Sequence, residues 1–203
     1  MRKINLSLLF LIAQICILIS LKSFAEENKI QNELVVIGPD SAVVKIKIFS
    51  SLTCPHCANF HKNVVSKIKK KYIETGKVQL IFLDFPLDQA AFNAAKLIYC
   101  LDKKKQITFI DNIYENQNNW TKGSTIEDIN SNLKKIVKDL GVDSNQFNKC
   151  ITNEKIEDKI LNGRIAGSKK YSIDSTPTII INEKKFSGTV NFENINKKIE
   201  KLI

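Results

Sequence analysis

Strand-like segments lie in two separate groups along this chain of 203 residues. Residues 43–49 and 78–85 are β-branched, largely apolar runs, and the pattern returns at residues 178–182. The long stretch between these groups has helical periodicity. The simplest interpretation is a helical block inserted between two strand-bearing parts of the chain. The chain is therefore predicted to form an α/β fold.

Helical patterns and turn signals set the expected elements. The apolar stripe of Phe60, Val64, Ile68 and Tyr72 predicts a helix over residues 57–71. Further helices are expected at residues 90–101, 107–120, 126–140, 147–171 and 192–203, with short strands at 34–38 and 185–186.

Residues 1–25 have the pattern of a signal peptide. Arg2 and Lys3 precede an almost wholly apolar run, and small residues stand at the two cleavage positions of Ser23-Phe24-Ala25. An uncleaved membrane anchor is the alternative, but the apolar run is shorter than the roughly 20 residues that span a bilayer. We therefore expect cleavage after Ala25 and export, with a soluble mature protein in the periplasm.

The net charge of +10 does not indicate a nucleic-acid partner. Arg2, Lys3 and Lys22 account for three of the positive charges and lie in the predicted signal peptide. The other lysines are scattered along helical stretches among apolar residues, and no nucleic-acid-binding motif accompanies them. Solvated helix surfaces explain this pattern.

Cys54-Pro55-His56-Cys57 stands where a predicted strand passes into a predicted helix. Pro55 suits the first helical position, which places Cys54 at the N-cap, facing unpaired N–H groups and the positive end of the helix dipole. His56 adds a hydrogen-bond donor. These effects favour the thiolate form of Cys54, whereas Cys57, one turn into the helix, is expected to be more buried.

Two other uses of these cysteines are weighed. Cys54, Cys57 and His61 could be zinc ligands, but a structural site needs a fourth ligand, which would have to be Cys100 or Cys150. A purely structural disulfide within the motif would close only a small loop and so stabilise little. The position at a helix start favours a reactive cysteine pair, with no metal and no cofactor. His61 is expected on the helix surface.

Three motifs in order give the chain a family resemblance. Residues 49–51 lead into the Cys54–Cys57 motif, Asp84-Phe85-Pro86-Leu87 precedes the helical block, and Ser175-Thr176-Pro177-Thr178 precedes the last long strand. This set resembles the DsbA family of thioredoxin-fold oxidoreductases. The resemblance implies an α/β, thioredoxin-like fold with an inserted α-helical domain. The first part of the thioredoxin-like domain would span residues 26–87, the inserted helical domain residues 88–165, and the second part residues 166–203.

The resemblance also implies residue roles. Cys54 would be the exposed nucleophile and Cys57 the resolving cysteine, with His56 between them. Pro177 would be the cis-proline that faces them, and Thr176 would offer its backbone to a substrate strand. Two positions depart from the family pattern: many members carry valine at Thr176, and members often carry a buried acid at Ile48.

The implied activity is that of a monomeric thiol oxidase that introduces disulfide bonds into reduced exported client proteins. A membrane quinone-linked reoxidase of the DsbB type would be its partner. An isomerase or reductase on the same fold, and a non-catalytic chaperone or binding module, are the alternatives. Thr176 keeps the isomerase or reductase alternative open.

Cys100 and Cys150 form the second cysteine pair, and both fall in the helical block. An oxidising compartment favours a structural disulfide between them over two buried free thiols. A bridge between positions so far apart in sequence would stabilise the fold by up to about 4 kcal/mol.

Overall fold

The computed structural model describes residues 35–203, so the predicted signal peptide lies outside the described residues. Within this range, five strands form one mixed sheet in the order β1-β3-β2-β4-β5. They are β1 (Val35–Ile37), β2 (Val44–Ser50), β3 (Val78–Asp84), β4 (Thr178–Ile181) and β5 (Lys184–Lys185). The central pair, β2 and β3, is parallel, and the other neighbours are antiparallel. The two strand groups predicted from the sequence thus belong to one sheet.

One face of the central strand β2 is buried along its length, and the other face is buried at Phe49. Val44, Ile46 and Ile48 alternate along it and pack into the main hydrophobic core. Phe49 points to the opposite face, where it joins a smaller cluster with Phe85 and other apolar side chains. Burial on both faces at this end of β2 explains why the second half of the strand is almost continuously apolar in sequence.

One long helical stretch follows β2. It begins with α1 (Pro55–Phe60), passes through a π-helical turn (His61–Val65) and α2 (Ser66–Ile68), and ends in a second π-helical turn (Lys69–Ile73). The stripe of four apolar side chains predicted from the sequence is buried throughout, because this face of the stretch packs against the sheet. Wider π-turns often occur near functional sites.

Six helices separate β3 from β4, as the sequence predicts for an inserted block. They are α3 (Gln89–Cys100), α4 (Lys103–Glu115), α5 (Gln117–Trp120), α6 (Ile126–Asp139), α7 (Ser144–Ile151) and α8 (Glu154–Tyr171). A final helix, α9 (Phe192–Glu200), packs on the main core through Ile195 and Ile199. The prediction of an α/β fold with inserted helices is confirmed, while the residue bounds given for the domains stay a prediction.

Two predicted helices are broken in the structure. The helix expected over residues 147–171 is divided at Asn153, whose side-chain oxygen accepts hydrogen bonds from the N–H groups of Lys155 and Ile156 and so starts α8. The helix expected over residues 107–120 begins earlier and ends at Asn116, whose backbone leaves the helical region and whose amide donates to the Asn112 carbonyl. Asparagine competes with regular helix bonding in this way.

Among the helices of residues 35–203, none combines the length and the apolar character that crossing a bilayer requires.

Candidate active site

Cys54 occupies the N-cap of α1, with Pro55 as the first helical residue. Its backbone is extended (φ −74°, ψ 120°), and its thiol donates to the carbonyl oxygen of Thr176 at 3.4 Å. The residue is 8% exposed, less than the sequence predicted, because the loop that carries Thr176 covers the sulfur. Pro55 and His56 beside it are exposed, so this end of the helix faces solvent.

Cys57 lies one turn into α1 and is 1% exposed. Burial raises the pKa of the Cys57 thiol to about 12, although the Thr176 side chain and the Ser51 backbone act in the opposite direction. Both Cys54 and Cys57 are free thiols in this structure. The pair therefore combines Cys54, which is 8% exposed beside the exposed residues Pro55 and His56, with Cys57, which is 1% exposed and strongly favours the neutral form.

The loop before β4 brings Thr176 and Pro177 to the cysteine pair. The Thr176–Pro177 peptide bond is cis. The Thr178 hydroxyl donates to the Ser175 carbonyl oxygen at 2.7 Å and closes the loop locally. Thr176 and Pro177 are partly exposed beside Cys54, so an extended polypeptide can reach both the loop and the sulfur.

The helical insertion holds the segment that leads into the cysteine motif. The buried Gln117 amide donates to the carbonyl oxygens of Leu52 at 2.8 Å and Cys54 at 3.1 Å. On the other side of this segment, the Thr53 hydroxyl donates to the Asp88 carboxylate at 2.6 Å. Sequence analysis missed Gln117, because nothing in its local pattern distinguishes it from other polar helix residues.

A second group of polar side chains lies near the buried end of the pair, and sequence analysis assigned it no role. Asp84, the last residue of β3, accepts a hydrogen bond from the Tyr99 hydroxyl at 2.7 Å. Burial raises the pKa of the Asp84 carboxyl to about 6, and the Tyr99 hydrogen bond and the Lys159 charge oppose this only in part. Tyr114, on α4, is 2% exposed, and its hydroxyl has no hydrogen-bond partner among the described residues.

The expectation that His61 lies on the helix surface is wrong. His61 is 7% exposed, its ring lies 4.8 Å from that of Tyr114, and its Nε2 atom contacts the Asp111 carboxylate at 2.6 Å. Lys69 also pairs with Asp111 at 2.9 Å. The insertion covers this part of the helical stretch, which the sequence could not show. Hydrogen bonds from His61 and Lys69 outweigh burial and lower the pKa of Asp111.

Cys100 and Cys150 form a disulfide that joins the end of α3 to α7. Cys150 is buried and Cys100 is exposed. Neither sulfur belongs to the group formed by Cys54, Cys57 and the Thr176–Pro177 loop. Across residues 35–203, no cluster of three or more His, Cys, Asp or Glu side chains is placed to hold a metal ion.

Comparisons with known proteins agree with this geometry. A sequence profile of the thioredoxin family matches residues 31–201. A Bacillus cereus protein designated "Probable disulfide bond formation protein D" is 31% identical over 171 residues, which cover 81% of this chain and 76% of that protein. The crystal structure of Wolbachia pipientis alpha-DsbA1 superposes with a TM-score of 0.77 and 31% identity, covering 83% of this chain and 90% of that one.

A more distant structure shares the fold. Oxidised BdbD from Bacillus subtilis has a TM-score of 0.73 at 22% identity, covering 84% of this chain and 92% of that one. The strand order, a cysteine pair at a helix start and a facing cis-proline loop define the class of thioredoxin-fold thiol-disulfide oxidoreductases. Within that class, the chain belongs to the DsbA family, and its helices α3–α8 form the inserted helical domain.

Proposed function

We propose that this protein is an exported thiol oxidase that introduces disulfide bonds into other proteins through Cys54 and Cys57. The observation that carries the proposal is the position of the Cys54 sulfur, at the N-cap of α1 and 3.4 Å from the Thr176 carbonyl oxygen. The Cys54 side chain makes no hydrogen bond to an N–H group of α1, so stabilisation of its thiolate rests on its place at the positive end of the helix dipole, which favours a thiolate. A stabilised thiolate is a good leaving group.

The reaction has two exchange steps. A substrate thiolate attacks the Cys54 sulfur of the Cys54–Cys57 disulfide, forming a mixed disulfide, and Cys57 leaves with the electron pair and takes up a proton. A second substrate thiolate then attacks the substrate sulfur of the mixed disulfide, and Cys54 leaves as a thiolate. Two substrate thiols become one disulfide, and the enzyme disulfide becomes a dithiol.

Burial supports the division of roles between the two cysteines. Cys57 is 1% exposed and its raised pKa, about 12, disfavours its thiolate, so an incoming substrate meets Cys54 first. His56 is exposed at the same helix end and offers a donor to the attacking or leaving sulfur.

The substrate is a polypeptide rather than a small thiol in this proposal. Thr176 and Pro177 are partly exposed next to Cys54, and an extended chain can pair with a loop edge through its backbone. Backbone pairing is independent of side-chain identity, which suits an enzyme with many reduced client proteins.

The remaining parts of the proposal concern structure and location. The Cys100–Cys150 bridge spans 50 positions and is proposed to stabilise the insertion, by up to about 4 kcal/mol in the chain-entropy account. Residues 1–25 are proposed to direct export to the periplasm, where the protein acts as a monomer and a membrane quinone-linked reoxidase of the DsbB type restores its disulfide.

The redox potential of the Cys54–Cys57 couple tests the direction of the reaction. We expect equilibration with glutathione to give a potential well above the value near −270 mV that is typical of thioredoxin. A value at or below that level would overturn the oxidase proposal in favour of a reductase. The C54S variant should lose disulfide formation in reduced ribonuclease, and retained activity would point to a non-catalytic binding module.

An isomerase is the second candidate, because Thr176 stands where valine is common in oxidases of the family. Refolding of scrambled ribonuclease separates the two activities. An oxidase should rescue reduced ribonuclease faster than scrambled ribonuclease, and the reverse order would favour the isomerase.

A further inference from the structure

The buried cysteine requires a proton that solvent does not readily supply. When the Cys54–Cys57 disulfide opens, the Cys57 sulfur leaves as an anion at a site that is 1% exposed. Burial raises the pKa of this thiol to about 12, so the anion takes up a proton as soon as a donor is within reach. Ile48, on the central strand beneath the site, is aliphatic and offers none.

Tyr114 has a buried hydroxyl group with no partner at full hydrogen-bond geometry among residues 35–203. It is 2% exposed, and Tyr114 and Thr176 carry the two buried side-chain oxygens that lack a hydrogen bond within residues 35–203. A buried polar group left unpaired is costly, and native proteins retain such groups where they have a role. The Tyr114 ring packs against His61, which lies one turn after Cys57 on the same helical stretch.

The hydroxyl of Tyr114 interacts electrostatically with both Cys57 and Asp84. Burial raises the pKa of Tyr114 well above the ordinary value, and the negative charge of Cys57 raises it further; the Ser50 side chain opposes this shift, and the charge of Asp84 adds to it. Ser50, which faces this hydroxyl, is paired with Asp84 in the β2–β3 register. Tyr114 therefore lies within electrostatic range of the sulfur that gains a proton and of the carboxyl group that can lose one.

Asp84 is suited to store this proton. Its carboxyl group is held by the Tyr99 hydroxyl at 2.7 Å, and its pKa is raised to about 6 by burial. A substantial fraction is therefore protonated at mildly acidic pH, unlike an ordinary aspartate with a pKa near 3.9.

We propose that Asp84 and Tyr114 form the proton route to Cys57 during thiol-disulfide exchange. The attacking thiolate bonds to Cys54 and the Cys54–Cys57 bond breaks, with its electron pair moving to Cys57. Tyr114 gives its hydroxyl proton to Cys57 and receives the Asp84 proton, which leaves Asp84 ionised until solvent reprotonates it. This proposal rests on Cys54 and Cys57 being the redox pair.

Other charged and polar groups near Asp84 and Tyr114 affect the pH at which the reduction rate changes. Asp84 faces the charge of Lys159 on α8 and the hydroxyl of Tyr99 on α3. Tyr114 faces Cys54 and Cys57 on the helical stretch after β2, and its ring contacts His61, which is paired with Asp111. An inflection in the pH profile of the rate can therefore be assigned to Asp84 only by substituting Asp84 itself.

The test is the pH profile of disulfide reduction. The oxidised protein is mixed with dithiothreitol from pH 4.5 to 8, quenched in acid, alkylated and mapped by mass spectrometry, which separates Cys54–Cys57 from Cys100–Cys150. Rates are corrected for the thiolate fraction of dithiothreitol. The corrected wild-type rate should fall as the pH rises through about 6. Tyr114→Phe and Asp84→Asn should each be about tenfold slower at pH 5, the effect of losing one hydrogen bond to a charged group.

Comparing the single variants with the double variant tests whether Tyr114 and Asp84 act on the same route. Both single variants should converge on the wild-type rate above pH 7, and the double variant should be no slower than either one. Tyr72→Phe is the matched control, because it removes a buried tyrosine hydroxyl from the helical stretch that carries Cys57, where the hydroxyl bonds to Asn196 at 2.6 Å. Its profile should match that of the wild type.

Three results would overturn the proton route. They are a wild-type profile in Tyr114→Phe, effects of Tyr114→Phe and Asp84→Asn that multiply in the double variant, or the same loss in Tyr72→Phe. If Tyr114→Phe proves unstable in urea denaturation, the pH profile of Asp84→Asn alone tests the proton route. Failure of the redox pair would look different, since Cys54→Ser would then still exchange disulfides with a substrate protein.

Discussion

The thiol sulfur of Cys54 lies 3.4 Å from the carbonyl oxygen of Thr176, which is 122 positions further along the chain. The helix start and the loop before β4 reach this distance because β2 and β4 are neighbours in the sheet, with Ile46 opposite Ile181. The whole helical insertion lies between them in sequence. The reactive sulfur is therefore positioned by the sheet, and the following predictions test how that position is maintained and used.

Alkylation should distinguish the two active-site thiols. Brief treatment of the reduced protein with iodoacetamide at pH 7.5 should modify Cys54 first, because Cys57 is 1% exposed and its pKa is raised to about 12. Peptide mapping by mass spectrometry measures the order. In Cys54→Ser, the remaining Cys57 should stay largely unmodified over the same time. Faster labelling of Cys57 than of Cys54 would contradict the assigned roles.

Gln117→Met should impair both stability and exchange. The substitution keeps the side-chain length but removes the side-chain donor to the carbonyl oxygens of Leu52 and Cys54, of which the Cys54 oxygen keeps its bond from the Ala58 N–H. We expect the free energy of unfolding in urea to fall by about 1–3 kcal/mol, with a slower exchange rate.

Gln106→Met is the control for Gln117. It is equally buried and donates to the Ile98 carbonyl at 3.0 Å, away from the cysteine motif. It should lose comparable stability but keep the wild-type exchange rate at a temperature where both variants are folded. An exchange rate lowered equally in both variants would show that Gln117 acts through global stability alone.

Two glycines of α8 should respond in opposite directions to alanine. A Cβ atom at Gly167 would overlap the ring of Phe49, so Gly167→Ala should destabilise the protein by about 1–3 kcal/mol through overpacking. A Cβ atom at Gly163 would meet nothing within 4 Å. Gly163→Ala should therefore stabilise by about 0.5–1 kcal/mol, because alanine loses less entropy in a helix. Urea denaturation measures both, and a shared sign would refute the packing of α8 on Phe49.

Glu183 should contribute to acid sensitivity. Hydrogen bonds from Lys170, Lys47 and Tyr171 outweigh burial and lower the pKa of Glu183 to about 2. A carboxylate with a depressed pKa stabilises the fold above its unfolded pKa, near 4.3, and this contribution is lost as the pH falls towards 2. Glu183→Gln should therefore show a smaller decrease in urea midpoint between pH 5 and pH 2.5 than the wild type.

Salt and a matched charge change provide the controls for Glu183. The side chain is 54% exposed, so added salt should weaken its effect. Glu115→Gln removes one negative charge elsewhere on the surface and should leave the acid slope as in the wild type. If both variants changed the slope equally, net charge rather than this ion-pair group would be responsible.

Local sequence patterns predicted much of the fold. The β-branched runs predicted β2, β3 and β4 to within a residue or two at each end, and the apolar stripe ending at Tyr72 predicted the long helical stretch. Pro55 correctly indicated the first residue of α1. The breaks at Asn116 and Asn153 were missed, because a single asparagine within an apolar pattern is compatible with either a continuous or a divided helix.

The surroundings of the active site were much less predictable. His61 was expected at the surface, yet the insertion buries it against Tyr114 and pairs it with Asp111. Gln117, Tyr114 and Asp84 carried no sequence signal that distinguished them from other residues of their helices and strands. Each acquires its role from a partner on another element.

The sequence by itself determined the order of strands and helices and the presence of a cysteine pair at a helix start. These features depend on residue type and short-range spacing, which act within one or two helical turns. The tertiary structure alone decided that the Thr176 carbonyl covers Cys54 and that Tyr114 and Asp84 lie near the buried end of the pair. Such contacts join segments tens of residues apart, and they form only when the insertion packs against the sheet.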